Sequence, residues 1–156
     1  MNELEVQEKQ LRQKIVNLEK TISSFPEDQV FYGDTENAPV TSSFVDGIYI
    51  REIKIPKGLL LIGKIHLKES VSFMLKGKMI IVDEEKGSRI IEAPQMVVSK
   101  PGVKRAVYAL EDVVFTNIHA NPTNETDLVK IEEKNIVSTF KEFDKFLENN
   151  NKLIKQ

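Results

Sequence analysis

The chain has no cysteine at all, which excludes disulfides and thiolate-held metals and suits a reducing compartment without requiring one. It has two histidines, His66 and His119, so a metal held by imidazole would have to draw on both and find other donors besides. No run approaches the roughly 18 apolar residues of a membrane span, and the N-terminus is acidic and amphipathic rather than signal-like. Neither a glycine-rich phosphate loop nor Walker-type spacing occurs. Charge of one sign is missing too. The 22 basic and 24 acidic residues give a net charge of −2, which argues against a general nucleic-acid binder. The expectation is a cytoplasmic protein whose partners include neither nucleic acid nor membrane.

What is present fits one domain. A length of 156 residues, with 40% hydrophobic and 29% charged side chains, allows one substantial core and is short for two. Asn2 to about Ser23 reads as a helix. Leu4, Leu11 and Leu18 recur every seven residues, Ile15 and Ile22 complete the stripe, and Glu, Lys and Gln fill the remaining face. About three heptads is short for an independent coiled coil, so two readings stay open: packing on its own domain, or zipping to the same helix of another subunit. Ser23-Ser24-Phe25-Pro26 ends it.

A mixed segment follows, with a possible strand at Gln29–Tyr32 and turn chemistry at Gly33-Asp34 and Asn37-Ala38-Pro39. Strands are then expected near Phe44–Ile55, Leu59–His66, Val71–Leu75, Lys78–Val82, Ser88–Glu92, Met96–Ser99, Lys104–Leu110 and Val113–His119. Gly and Pro punctuate them at short intervals, with no helix between. That pattern indicates a β-sandwich or barrel. Asp83-Glu84-Glu85-Lys86-Gly87 reads as a solvated hairpin tip, and Glu132-Glu133-Lys134 as ordinary charged surface. Phe140, Phe143, Leu147 and Ile154, widened by Phe146, mark a last helix from Val137. The divisions are a helix over 1–24, a barrel over 25–136 and a helix over 137–156.

Chemistry concentrates between Gly58 and Gly77. Leu60, Ile62, Lys64 and His66 share one strand face, and Leu59, Leu61 and Ile65 the other. A buried strand thus acquires a cation and an imidazole near its end. Gly58, Lys64, His66, Ser70 and Gly77 fall on the places of the first cupin motif, with Lys64 and Ser70 where metal ligands usually stand. Together with G-I-Y-I-R-E-I-K-I-P-K-G (47–58), G-K-I-H (63–66), S-K-P-G-V-K-R-A-V-Y-A-L-E-D (99–112) and N-I-H-A (117–120), the chain resembles a family of small cupin-like proteins encoded by bacteriophages and prophages. The resemblance covers roughly the middle two thirds. It implies a mostly β, single-domain, cupin-like jelly-roll barrel with flanking N-terminal and C-terminal helices.

The resemblance also directs Lys64, His66 and Ser70 into the barrel mouth, and places Arg105, after Pro101-Gly102, where the second motif has a histidine ligand. His119 shares a strand face with Val113, Phe115 and Asn117. Tyr108, with Tyr49, Phe73 and Phe115, is a candidate to stack on a ring. A metal site needs three or four converging donors. Only His66 and His119 are available, and Lys64 would repel a cation, so no metal and no cofactor is expected. Ser70 with His66 suggests a nucleophilic dyad, but no orienting partner or oxyanion donor can be named. Arg105, Lys64 and two imidazoles suit an anionic small molecule better. Against this stands the reading that Arg105 pairs with Glu92 or Glu111. Two buried imidazoles beside two cations should stay neutral. The functional expectation is a non-enzymatic homo-oligomer holding a small anionic, nucleotide-derived ligand, in concrete form a sponge for a signal of bacterial immunity. The alternatives are a virion accessory or assembly protein, and a metal-dependent cupin enzyme.

Overall fold

The computed structural model describes residues 2–24 and 38–154, and the side chains up to residue 151. The segment in which a strand at Gln29–Tyr32 and a turn at Gly33-Asp34 were expected lies outside the described residues. Helix α1 (Glu3–Ser23) begins at a capping box. Asn2 Oδ1 accepts from the Glu5 amide and a Glu5 carboxylate oxygen accepts from the Asn2 amide, each at 2.9 Å. Of its stripe only Ile15 is fully buried, while Leu4 stays exposed. The described contacts are with its own domain. Lys104 Nζ lies 2.8 Å from a Glu19 carboxylate oxygen, and the Arg12 guanidinium sits 4.6 Å over the Phe140 ring.

The barrel is built of β1 (Val40–Val45), β2 (Ile48–Ile55), β3 (Leu60–Ile62), β4 (Ile65–His66), β5 (Ser70–Lys76), β6 (Lys78–Asp83), β7 (Gly87–Glu92), β8 (Gln95–Ser99), β9 (Ala106–Ala109) and β10 (Val113–Ala120). Two antiparallel sheets, ordered β1-β2-β10-β5-β8 and β3-β9-β6-β7, face each other in the jelly-roll arrangement that the resemblance implied. Ile53, Ile55, Leu61, Met74, Met79, Ile81, Ala109 and Val113 fill the space between them.

Two expected strands are each broken. Phe44–Ile55 is a hairpin rather than one strand. Gly47, at φ 74°, turns the chain between β1 and β2, and the Asn124 side chain braces that turn by accepting from the Gly47 amide and donating to Asp46. Leu59–His66 splits at Gly63-Lys64. β3 pairs with β9, whereas β4 pairs with β11 (Ile136–Val137). The chain there changes sheets, which a period-two reading does not register.

The acidic stretch at 83–87 is a solvated tip only at Glu85 and Lys86. Asp83 is 1% exposed and Glu84 5%, because β6 points residue 83 inward after Met79 and Ile81 and α1 lies against the neighbouring turn. A further helix, α2 (Leu128–Asn135), stands within the segment expected to be barrel. Asp127 caps it, accepting from the Val129 amide at 3.0 Å. Helix α3 (Phe140–Ile154) covers β4 and β11. Its Phe143 packs with Ile65 and Leu67 in a second small core. No helix among the described residues is long and apolar enough to cross a membrane.

Candidate functional site

Strand alternation builds a cavity of about 240 Å³ between the sheets. β2 contributes Tyr49, Arg51, Ile53 and Ile55, every second residue, and β10 contributes Phe115, Asn117 and His119. The register sets His119 beside Tyr49, Asn117 beside Arg51 and Phe115 beside Ile53. β4 brings His66 from the other side. The His66 and His119 ring centroids are 5.1 Å apart and tilted by 53°, and Tyr49 stacks on His119 at 5.8 Å.

Of the residues singled out in the sequence, Lys64, His66, Arg105 and His119 all line this one cavity. Ser70 does not line it. It is 6% exposed and stands behind His66, its Oγ 2.9 Å from His66 Nδ1. The hydroxyl–imidazole contact therefore exists, but the oxygen is turned from the space a substrate would occupy and acts as a prop for the ring. Tyr108 is corrected outright. It is 41% exposed, because β9 turns Val107 into the cavity and residue 108 the other way. Phe73 likewise stays off the wall, whereas Tyr49 and Phe115 are on it.

The cations differ in how they are matched. Lys64 Nζ reaches a Glu132 carboxylate oxygen at 3.2 Å, both half-exposed at the rim. The charged stretch at 132–134 belongs to α2, and its first residue helps form the mouth. Lys100 pairs with Glu85 at 2.9 Å. Arg105 uses neither Glu92, which pairs with Lys78, nor Glu111. Its Nη1 donates to Ser99 Oγ at 2.6 Å and its Nε lies 3.4 Å from Asp83 Oδ2. Asp83 is shared, since Arg89 Nη2 holds the same oxygen at 2.8 Å and the Lys86 amide donates to the other at 2.8 Å. Burial pushes the Asp83 carboxyl up, but those hydrogen bonds and the two guanidinium charges outweigh it and hold it below its usual range. Burial also lowers Arg105, with Asp83 opposing, and a guanidinium remains charged regardless.

Arg51 is the residue that sequence reasoning missed. It is half-buried on the cavity wall and, among the described residues, its side chain has no hydrogen bond or ion pair. A signal existed. Tyr49, Arg51, Ile53 and Ile55 share parity on β2, so the apolar face carries the arginine inward with it. Its neighbour Glu52 and the nearby Lys54 give the stretch the look of a charged surface.

Both imidazoles are pushed down to about 4. For His66 the cause is burial first, then repulsion from His119, Arg105 and Arg51; for His119 it is burial, then Arg51. At neutral pH each is an uncharged ring that can donate one hydrogen bond and accept another. The metal that cupin folds often carry does not fit this donor set. Among the described residues no three His, Asp or Glu side chains converge. The one carboxylate at the cavity rim is engaged by Lys64, and the unmatched Arg51 repels a cation.

No protein-family model matches the chain, and no curated protein matches it. Solved structures do. A salicylate 1,2-dioxygenase from Pseudaminobacter salicylatoxidans superposes with a TM-score of 0.53 at 9% identity, over 81% of this chain and 35% of the dioxygenase. An RmlC-like cupin with a double-stranded β-helix fold from Methanocaldococcus jannaschii gives 0.47 at 18% identity, over 60% of this chain and 89% of its own. KdgF from Halomonas gives 0.48 at 13% identity, over 62% and 94%. These are likenesses of fold.

Proposed function

We propose that this protein binds a small anion inside its barrel and does not turn it over. Arg51 carries the reading. Each of the other cations lining the cavity has a carboxylate within ion-pair distance. Arg51 faces the same space without one among the described residues. An uncompensated guanidinium in a part-desolvated pocket is costly unless an anion completes it, and its fork suits a carboxylate or phosphate. The neutral imidazoles supply hydrogen bonds beside it without adding a charge that the pocket would have to match. Against turnover, Ser70 is off the wall and, among the described residues, no third metal ligand converges.

The specific form of this proposal is a bacteriophage or prophage protein that sequesters a nucleotide-derived signal. It draws support from the family resemblance and from the cations at former metal positions. Size narrows it. A cavity of about 240 Å³ lies below the roughly 300–1,000 Å³ of sites for drug-sized ligands, which favours a guest of mononucleotide size or smaller over a cyclic dinucleotide. Titration calorimetry with AMP, inorganic phosphate and a cyclic dinucleotide tests this. Saturable binding of a small anion is expected, weakened at least about tenfold in Arg51→Ala. Equal affinities in the wild type and the variant would remove the reading.

A further inference from the structure

The cavity is divided along its length. On β2 the inward residues run Tyr49, Arg51, then Ile53, Ile55; on β10 they run His119, Asn117, then Phe115. Because the strands are antiparallel and in register, the polar halves lie side by side and so do the apolar halves. The stretch from β3 through the Gly63-Lys64 break to β4 repeats the division, with Leu61 at one end and Lys64 and His66 at the other. β6 adds only Met79 and Ile81 to the wall. One end of the space thus offers two guanidiniums, an ammonium, two imidazoles and an amide, with Val103, Ile131 and Ile136 beside them, and the other only hydrocarbon and one aromatic ring.

We infer that the ligand is a compact amphiphile, an oxyanion head held at Arg51, His66 and His119 on an apolar body seated against Ile53, Met79 and Phe115. This rests on the anion-binding reading, replaces its nucleotide form, and goes further by specifying what is attached to the anion. The apolar end presents no hydrogen-bond donor or acceptor from its side chains. A purine placed there would leave ring nitrogens and exocyclic groups unpaired, a cost that a hydrocarbon or phenyl body does not carry. A bare inorganic anion would occupy the polar end and leave an apolar void, which water fills poorly. The volume holds head and body together only if the body is about one ring or a short branched chain.

The polar end supports the orientation. Ser72 Oγ donates to Asn117 Oδ1 at 2.7 Å, leaving the Asn117 amide hydrogens for an acceptor. Ser70 stands on His66 Nδ1, so the ring's other nitrogen is the one free to meet the head. A hydroxyl can donate or accept, and His66 keeps that contact in either tautomer.

The experiment is calorimetry on the full chain at pH 7 with inorganic phosphate, phenyl phosphate and AMP, in the wild type, Arg51→Ala and Phe115→Leu. Phenyl phosphate should bind at least about tenfold more tightly than inorganic phosphate, with a more negative heat-capacity change from apolar burial, and AMP no more tightly than phenyl phosphate. Phe115→Leu should reduce the preference for phenyl over inorganic phosphate by several-fold. Should that variant unfold, the wild-type heat-capacity difference decides the question alone. Equal affinity for the two phosphates, or tighter binding of AMP, overturns the amphiphile while leaving anion binding in place. Silence from all three anions, or binding unaffected by Arg51→Ala, removes the anion reading and this inference with it.

Discussion

His66 and His119 are uncharged at neutral pH because the protein gives a proton on either ring nowhere favourable to sit: both are largely buried, 5.1 Å apart, with Arg51 repelling each. Their folded value of about 4 lies below the 6.5 of an exposed imidazole, so between these limits the unfolded chain binds more protons than the folded one. Stability is therefore complete above about pH 6.5 and falls as the pH drops toward 4, by roughly 2–3 kcal/mol for each ring. Thermal melts from pH 7.5 to 4.5 should show this decline. His119→Gln should be flatter, and an identical slope in that variant would show that the ring is not the cause. Lys64, His66, Arg105 and His119 were legible as a group in the sequence through the resemblance and the parity of β10. Arg51 and Asp83 were not, because charge in a short strand reads as surface until a register is known. Tyr108 failed for a related reason: a stacking role was assigned by residue type, and the parity of β9 points it outward.

At the scale of elements, the helices hold the strand framework at few points. Lys104, 1% exposed, reaches Glu19 of α1 at 2.8 Å and the Ser138 carbonyl ahead of α3 at 2.6 Å, so one ammonium ties both flanking helices to the second-motif loop. Gly102 in that loop has φ 88°, and a Cβ there would lie 2.5 Å from a ring carbon of Phe143. Both the left-handed backbone and the close approach exclude a side chain. Gly102→Ala should lose about 1–3 kcal/mol in chemical denaturation, and a loss below 0.5 kcal/mol would mean that α3 yields easily. The long helices were readable because their apolar stripes run three turns or more. α2 was not, since of its eight residues only Ile131 is buried and Asp127 is its one strong start signal. The break at Gly63-Lys64 escaped notice because both fragments keep an apolar, strand-like composition.

The whole molecule is a cupin-like barrel whose interior gathers Lys64, His66, Arg105 and His119 around one cavity. Its sheets were foreseeable from many short strands punctuated by Gly and Pro, and the jelly-roll closure from the resemblance. The capping of the mouth by α2 was not, because it depends on where a chain returning from β10 comes to rest. With two imidazoles and no third donor among the described residues, dialysis against EDTA should leave the melting temperature within about 1 °C, since nothing that binds only the folded state is withdrawn. A fall of several degrees would restore a metal.

β4 is only two residues long, and its ladder partner is β11, Ile136 opposite His66 and Val137 opposite Ile65. The His66 imidazole is thus moored to the segment between α2 and α3 rather than woven into either large sheet. If the proposed guest binds there, its dwell time should follow the fraying of that short tether, and a substitution at Val137, which pairs with Ile65 and lies off the cavity wall, should alter it.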